Sequence, residues 1–293
     1  MNVTLPYRVL DILKLSAEYL EKKGIDNARL NAELLLGHIL KLNRVQLYLN
    51  FERPLTPAEL DEYRQLLRRR AAHEPIQYIL GETEFYSLKF KLNRFTLIPR
   101  PETELLVETV IDQCRKRFSE KGKVLMLDIG TGCGNIAIAL AKNLPDCQIV
   151  AIDIQPEAIE IAKQNAANHE VSDQIQFQQL DIFSDQAKLM TQFHVVVSNP
   201  PYIARHEFER LPLEVKNFEP YIALDGGKAG LIFYGRVAEL VPQLLAPDGF
   251  IAVEIGASQA EAVTDLFLQT EAFQSIELIC DLNRLPRIIL AQK

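Results

Sequence analysis

The chain has 293 residues, 48% of them hydrophobic and 24% charged, which is enough apolar material for the cores of about two soluble domains and shows no bias toward disorder. No apolar run approaches the ~20 residues that span a bilayer, and the start, MNVTLPYRVL, has neither a basic nor an uninterrupted apolar region, so a cytoplasmic protein with no membrane association is expected. The net charge of −7 divides into +3 over residues 1–98 (15 Lys and Arg against 12 Asp and Glu) and −10 over the remainder (17 against 27), which disfavours nonspecific nucleic-acid binding by the acidic part.

In chain order, the first 75 residues read as short helices. Apolar residues recur at helical spacing in RVLDILKLSAEYLEKKG, where Gly24 stands to stop the helix, and again in NARLNAELLLGHILKL. Thr56-Pro57-Ala58-Glu59 fits a capping box with proline at the first helical position, and that helix should run to about Ala72, before Pro75. It carries Arg68, Arg69 and Arg70, either a solvated face or a docking surface for a partner bearing RNA or acid. Between Pro75 and Pro99, GETEFYSLKFKLNRFTLIP alternates apolar and polar residues, as a β-hairpin linking two domains does. The expected boundaries are 1–75 for a helical domain, 76–98 for the hairpin linker and 99–293 for a second domain.

From about Lys123 strands and helices alternate. KVLMLDI, QIVAID, IQFQQL, FHVVVS and GFIAVEI read as strands, PEAIEIAKQNAANH and AGLIFYGRVAELVPQLL as helices, and SIELICDLNRLPRIILAQ as two more strands joined by a turn. Such alternation implies parallel strands with helices on both faces. Cys114, Cys133, Cys147 and Cys280 form no C-x-x-C and the five histidines show no ligand spacing, so no metal site or disulfide framework is expected, and the cysteines should be buried as small apolar side chains.

Three features of this alternating region suggest chemistry. The first strand runs into Asp128-Ile129-Gly130-Thr131-Gly132-Cys133-Gly134, where glycines allow a sharp turn that brings a ligand against main-chain N–H groups at a helix start. A dinucleotide fingerprint needs a further glycine where Asn135 stands, so a nucleotide-like cofactor other than NAD is favoured. Asp153 closes the second strand, where a carboxylate can bond both hydroxyls of a ribose, and Asp181 follows the third as either a ligand contact or a turn former. The fourth strand ends in Asn199-Pro200-Pro201-Tyr202. Its two prolines fix two φ angles and remove two donors, so the remaining polar atoms point in set directions.

Together, the loop, Asp153 and Asn-Pro-Pro-Tyr resemble the S-adenosyl-L-methionine-dependent methyltransferases of the Rossmann-like class. The fold class implied is α/β, a Rossmann-like, doubly wound, mostly parallel seven-stranded sheet, preceded by a small helical bundle and the hairpin linker. Within that class Asn-Pro-Pro-Tyr accompanies planar nitrogen acceptors. The Asn199 side-chain oxygen and the Pro200 carbonyl can accept the two N–H hydrogens while Tyr202 stacks on the flat group, and the prolines hold these groups in place beforehand. The adenine amine of nucleic acid and the side-chain amide of glutamine both fit. Adenine in a duplex requires base flipping and usually a basic recognition region, which an acidic catalytic half does not supply.

The whole chain is similar to the peptide chain release factor glutamine methyltransferases. The matching segments are Leu97-Ile98-Pro99-Arg100-Pro101-Glu102-Thr103-Glu104; Phe218-Glu219-Pro220 through Ala223-Leu224, Gly226-Gly227 and Gly230-Leu231; and Glu254-Ile255-Gly256 with Gln259. The resemblance implies methylation of the glutamine in the Gly-Gly-Gln motif of bacterial release factors, with S-adenosyl-L-homocysteine as product. It implies that the N-terminal domain grips the factor, and no sequence-specific nucleic-acid binding is expected. It also implies cofactor contacts at Gly130, Thr131, Gly132, Cys133, Gly134, Asp153, Asp181, Ile182 and Asn199. Glutamine contacts would come from Asn199, Pro200, Pro201 and Tyr202, with Asn199, Pro200 and Tyr202 catalytic. An adenine N6-methyltransferase and a noncatalytic binding module on the same fold are the alternatives. The sequence departs from the family pattern at Lys228-Ala229, where an acidic residue and glycine are usual, and over Asp281–Arg287, where a more polar, glycine-containing turn is common.

Overall fold

The periodic N-terminal segments fold as helices α1 (Val9–Lys22), α2 (Ala28–Leu40), α3 (Arg44–Leu49), α4 (Pro57–Ala71) and α5 (Ile76–Leu80). The computed structural model describes residues 7–120, 122–185 and 192–293, divided into two units, Met1–Gly81 with Pro212–Phe218 and Glu82–Leu211 with Glu219–Lys293. In the first unit Val9, Ile12, Leu13 and Leu20 recur on one face of α1 and are buried, and the first three join Leu35, Leu36, Leu47 and Tyr63 in the helical core. Gly24, at φ +73°, stops α1 as expected. Thr56 Oγ1 accepts from the Glu59 N–H at 3.3 Å and a Glu59 carboxylate oxygen accepts from the Thr56 N–H at 2.9 Å, completing the capping box. α3 and α5, six and five residues long, are too short to show periodicity, so the sequence does not reveal them. Of the three arginines, Arg70 is buried. It donates to Asn31 Oδ1 at 2.7 Å and the Glu74 carbonyl at 2.8 Å, and pairs with Glu214. Neither a solvated face nor a docking surface describes Arg70, because its guanidinium is used up inside the unit.

The second unit opens with β1 (Glu82–Phe85) and β2 (Leu88–Lys91), an antiparallel hairpin. Its two-residue turn places Tyr86 and Ser87 at φ +52° and +58°, a primed geometry that usually takes glycine or asparagine. The Glu104 carboxylate compensates by accepting the Tyr86 N–H at 2.7 Å. Asn165, fully buried, binds the hairpin further along: its Oδ1 accepts from Lys91 N at 2.8 Å while its Nδ2 donates to Lys91 O at 3.0 Å and Cys133 O at 2.9 Å. The hairpin thus packs with the second unit.

Then follow α6 (Thr103–Arg117), β3 (Val124–Ile129), α7 (Asn135–Asn143), β4 (Cys147–Asp153), α8 (Pro156–Asn168), β5 (Ile175–Gln179), β6 (Phe193–Ser198), α9 (Leu213–Phe218, in the first unit), α10 (Ile232–Leu244), β7 (Leu245–Glu254), α11 (Ala260–Leu268), β8 (Ser275–Cys280) and β9 (Pro286–Gln292). The seven strands lie in the order β5-β4-β3-β6-β7-β9-β8, parallel except for the two pairings made by β9. Central strands buried on both faces explain the near-continuous apolar runs of β3 and β6. The chain proceeds outward from β3 to β5 and then crosses back to place β6 on β3's other side. That reversal opens a crevice at the carboxyl ends of β3 and β6, where open α/β sheets bind ligands.

Three cysteines are buried, but Cys280 is exposed, because it ends β8 at the sheet edge. The β8–β9 turn closes without glycine. Asp281 Oδ1 accepts from Asn283 N at 2.8 Å and Leu285 N at 3.0 Å, Oδ2 accepts from Arg287 Nε at 2.8 Å, and Arg284 takes the left-handed φ of +63°. Among the described residues no helix is long and apolar enough to cross a membrane.

Candidate active site

The crevice holds a cavity of about 340 Å³ lined by Gly130, Gly132, Asp153, Asp181, Ile182, Asn199 and Pro201 together with residues the sequence did not single out. This volume lies in the range of small-molecule sites. The glycine loop turns as required, with φ of +75°, +55° and +84° at Gly130, Gly132 and Gly134. A Cβ at Gly130 or Gly132 would point into open space, whereas one at Gly134 would lie 3.2 Å from Ala162 Cβ and 3.0 Å from Ile138 Cδ1. The first two glycines therefore leave backbone bare beside the cavity, and the third lets α7 and α8 approach. Thr131 and Cys133, expected as cofactor contacts, do not line the cavity. They are 2% and 1% exposed, and Thr131 Oγ1 donates to Asp128 Oδ2 at 2.7 Å. Gly134 is likewise behind the wall, as its packing requires.

Asp153 ties this loop down: its Oδ2 accepts from Gly132 N and its Oδ1 from Gln155 N, both at 2.9 Å. A carboxylate has about four acceptor positions, so capacity remains for two more donors at the cavity wall. Burial raises the Asp153 pKa, against the pull of those backbone N–H groups. Behind it, Asp128 is fully buried and its pKa is pushed up to about 7, first by burial and then by the Asp153 charge. Asp181 is a turn former, its Oδ1 accepting from Phe183 N at 2.9 Å, and it also lies on the cavity wall. Ile182 is buried beside it, and Phe183 and Phe233 meet edge to face at 5.5 Å on the same wall. Only Ile182 of this apolar trio was legible, because Phe233 arrives from α10, some 50 residues away.

Asn199 follows β6 directly and reaches the cavity. Its Nδ2 donates to Thr103 Oγ1 at 3.0 Å, and that hydroxyl donates to Glu254 Oε2 at 2.7 Å. Pro200 is buried and Tyr202 packs half-buried against the main core; neither lines the cavity, whereas Pro201 does. The Tyr202 hydroxyl is pushed up to about 12, by burial first and then by Glu254. Gln259 Nε2 donates to Tyr202 O at 2.9 Å and Gly230 O at 3.1 Å, while its Oε1 accepts from Gly256 N at 3.0 Å. A Cβ at Gly230 would stand 2.3 Å from Tyr202 O, and Gly227 takes the left-handed φ of +84°, so both positions favour glycine. Lys228 and Ala229 between them are exposed, which is why the departure from pattern there leaves the loop intact. Phe95, Leu97 and Asp225 also line the wall. Among the described residues no His, Cys, Asp and Glu side chains cluster in a way that could hold a metal.

A glycine loop after the first sheet strand, an acid closing the second and an Asn-Pro-Pro-Tyr turn after the fourth, around one cavity, define a methyltransferase with a Rossmann-like α/β fold. In agreement, the model described as "Methyltransferase domain" matches residues 120–285 and that described as "PrmC N-terminal domain" matches 11–81. The release factor glutamine methyltransferase of Geobacter sulfurreducens is 41% identical over 97% of this chain and 96% of its own, and that of Rhodopirellula baltica 38% identical over 98% and 97%. The chain belongs to the release factor glutamine methyltransferase family. A crystal structure of a methyltransferase from Pyrococcus furiosus shares the fold, with a TM-score of 0.51, 17% identity and coverage of 80% of this chain and 98% of that one.

Proposed function

We propose that this protein transfers a methyl group from S-adenosyl-L-methionine to the side-chain amide nitrogen of the glutamine in the Gly-Gly-Gln motif of bacterial release factors, in the cytoplasm. The observation that carries the proposal is the meeting of Gly130, Gly132, Asp153 and Asn199 around one cavity. The residues present fit the cofactor. Bare backbone at Gly130 and Gly132 admits its methionine part, the free acceptor capacity of Asp153 suits two ribose hydroxyls, and Ile182, Phe183 and Phe233 offer apolar surface to adenine. When bound, this cofactor supplies an electrophilic sulfonium methyl and leaves as S-adenosyl-L-homocysteine.

The remaining work falls to the protein. An amide nitrogen is a poor nucleophile because its lone pair is delocalised into the carbonyl. Asn199 Oδ1, on the cavity wall, accepts one of its hydrogens and turns the lone pair toward the methyl carbon; the Pro200 carbonyl and the Tyr202 ring, which adjoin Asn199 and Pro201 in the turn but do not line the cavity, are assigned the second hydrogen and the flat face once the glutamine is seated. The proton leaves after transfer, when the nitrogen has become acidic, so a strong base is not needed. Tyr202, with its hydroxyl near 12, stays neutral throughout. The helical N-terminal unit is assigned to gripping the factor. The test is incubation with labelled cofactor and an unmodified release factor; label on the Gly-Gly-Gln peptide is expected, and an unlabelled peptide rejects the proposal. Label on adenine of RNA or DNA instead would establish the nucleic-acid alternative, which the net −10 of residues 99–293 opposes.

A further inference from the structure

Thr103, Asn199 and Glu254 come from three separate elements, the start of α6, the residue after β6 and the end of β7. Thr103 is 1% exposed and Glu254 3%. The Thr103 hydroxyl lies between two partners, 2.7 Å from Glu254 Oε2 and 3.0 Å from Asn199 Nδ2. A hydroxyl has a single hydrogen to give. An ionised carboxylate only accepts, so it takes that hydrogen, and the hydroxyl can then do nothing but accept from Asn199. The two ends of a carboxamide are nearly the same size, so packing alone does not tell oxygen from nitrogen. A methyl-accepting amide nitrogen presents donors, and an Asn199 turned by 180° would meet them with donors of its own.

We propose that Thr103 and Glu254 are positioning residues which fix the orientation of the Asn199 amide, committing its NH2 to Thr103 so that its oxygen is offered to the substrate nitrogen. This rests on the methyl-transfer reading above. The segments Pro-Glu-Thr-Glu and Glu-Ile-Gly, 151 residues apart from Thr103 to Glu254, thereby act on the same amide. Arg100 and Glu102 ahead of α6, Arg287 on β9 and Tyr202 after β6 act electrostatically around the Glu254 carboxyl, and Tyr234 of α10 donates its hydroxyl to the Glu254 carbonyl at 2.8 Å. A protonated Glu254 can itself donate to Thr103, which frees the hydroxyl hydrogen for the Asn199 oxygen and removes the constraint. Burial pushes this carboxyl up to about 7, so the constraint weakens as the medium becomes mildly acidic.

The test uses the full-length protein labelled with 15N, the Asn199 side-chain pair being assigned by its loss in Asn199→Ala. Thr103→Val keeps the shape and removes the acceptor. Exchange of the Asn199 NH2 hydrogens should quicken at least tenfold in Thr103→Val and return toward the wild-type rate in Thr103→Ser. With release factor as substrate, Thr103→Val should lower kcat at least tenfold with the cofactor KM within twofold, and Thr103→Ser should recover most of it. Glu254→Gln, which can donate to Thr103, should lower kcat and flatten its rise between pH 6 and 8, and it decides the matter if Thr103→Val does not fold. Unchanged exchange in Thr103→Val, or an unaltered pH profile in Glu254→Gln, overturns the proposal. Should the wild-type protein leave the Gly-Gly-Gln peptide unmethylated, the functional reading fails, while the exchange rates still decide the relay.

Discussion

Replacing Asp153 with alanine separates loop anchoring from cofactor binding. In the wild-type protein two acceptor positions of the carboxylate hold Gly132 N and Gln155 N at 2.9 Å, and the others remain for ribose. A hydrogen bond to a charged group contributes about 1.5–3 kcal/mol, and two hydroxyls on one carboxylate share its charge, so the loss should be about 3 kcal/mol, or roughly 150-fold in Kd. The fold should suffer less. Two backbone N–H groups lose their acceptor, but a buried charge whose pKa is raised by burial disappears with them. Titration calorimetry with S-adenosyl-L-homocysteine measures the first effect and urea unfolding the second. Ionised Asp153 is the better acceptor, and the buried carboxyl has a raised pKa, so wild-type affinity should fall as pH drops through that pKa and the alanine variant should show no such fall. A Kd within twofold of wild type would show that Asp153 does not hold the ribose.

Further predictions concern single side chains. Asn199→Ala should lower turnover about 100-fold with unchanged thermal stability, the scale of losing one preorganised polar group; single-turnover kinetics check it, and normal turnover would take Asn199 out of the mechanism. Asn165→Ala removes three hydrogen bonds that join α8 to the hairpin and the glycine loop. It should cost about 2–4 kcal/mol in urea unfolding, whereas a loss below ~1 kcal/mol would mean the staple is dispensable. Glu254 has its carboxyl raised from 4.5 to about 7 by burial. A raised acid favours folding where it is protonated, so wild-type stability should decline by on the order of 3 kcal/mol as pH rises from 4.5 through 7 and stay lowered above it. Glu254→Gln should be more stable than wild type at pH 8 and similar to it at pH 4.5; equal slopes in the two proteins would contradict the burial argument.

How much of this was legible depended on whether the information was local. The capping box at Thr56, the stop at Gly24 and the strands β3 and β6 follow from residues a few positions apart, because caps, turns and two-sided burial are set by neighbours in the chain. The turn at Tyr86-Ser87 was not legible as a primed turn, since its positive φ values are held by Glu104, which lies 18 residues away and two elements later. Arg70 looked like part of a basic run, and only tertiary packing onto Asn31 and Glu214 made it a buried anchor.

The candidate site divides in the same way. Sequence alone determined that a bare glycine loop, Asp153 and a stiff Asn-Pro-Pro-Tyr turn sit at strand ends, since backbone conformation and strand termination are local properties. Only the tertiary structure decided that Thr131 and Cys133 face away from the cavity and that Phe183 meets Phe233. It likewise decided that Thr103 and Glu254 stand behind Asn199. The reason is that the reversal of strand order at β3 and β6 brings remote segments to one edge of the sheet. Which of their side chains then touch is fixed by packing across that edge, which spacing along the chain does not record.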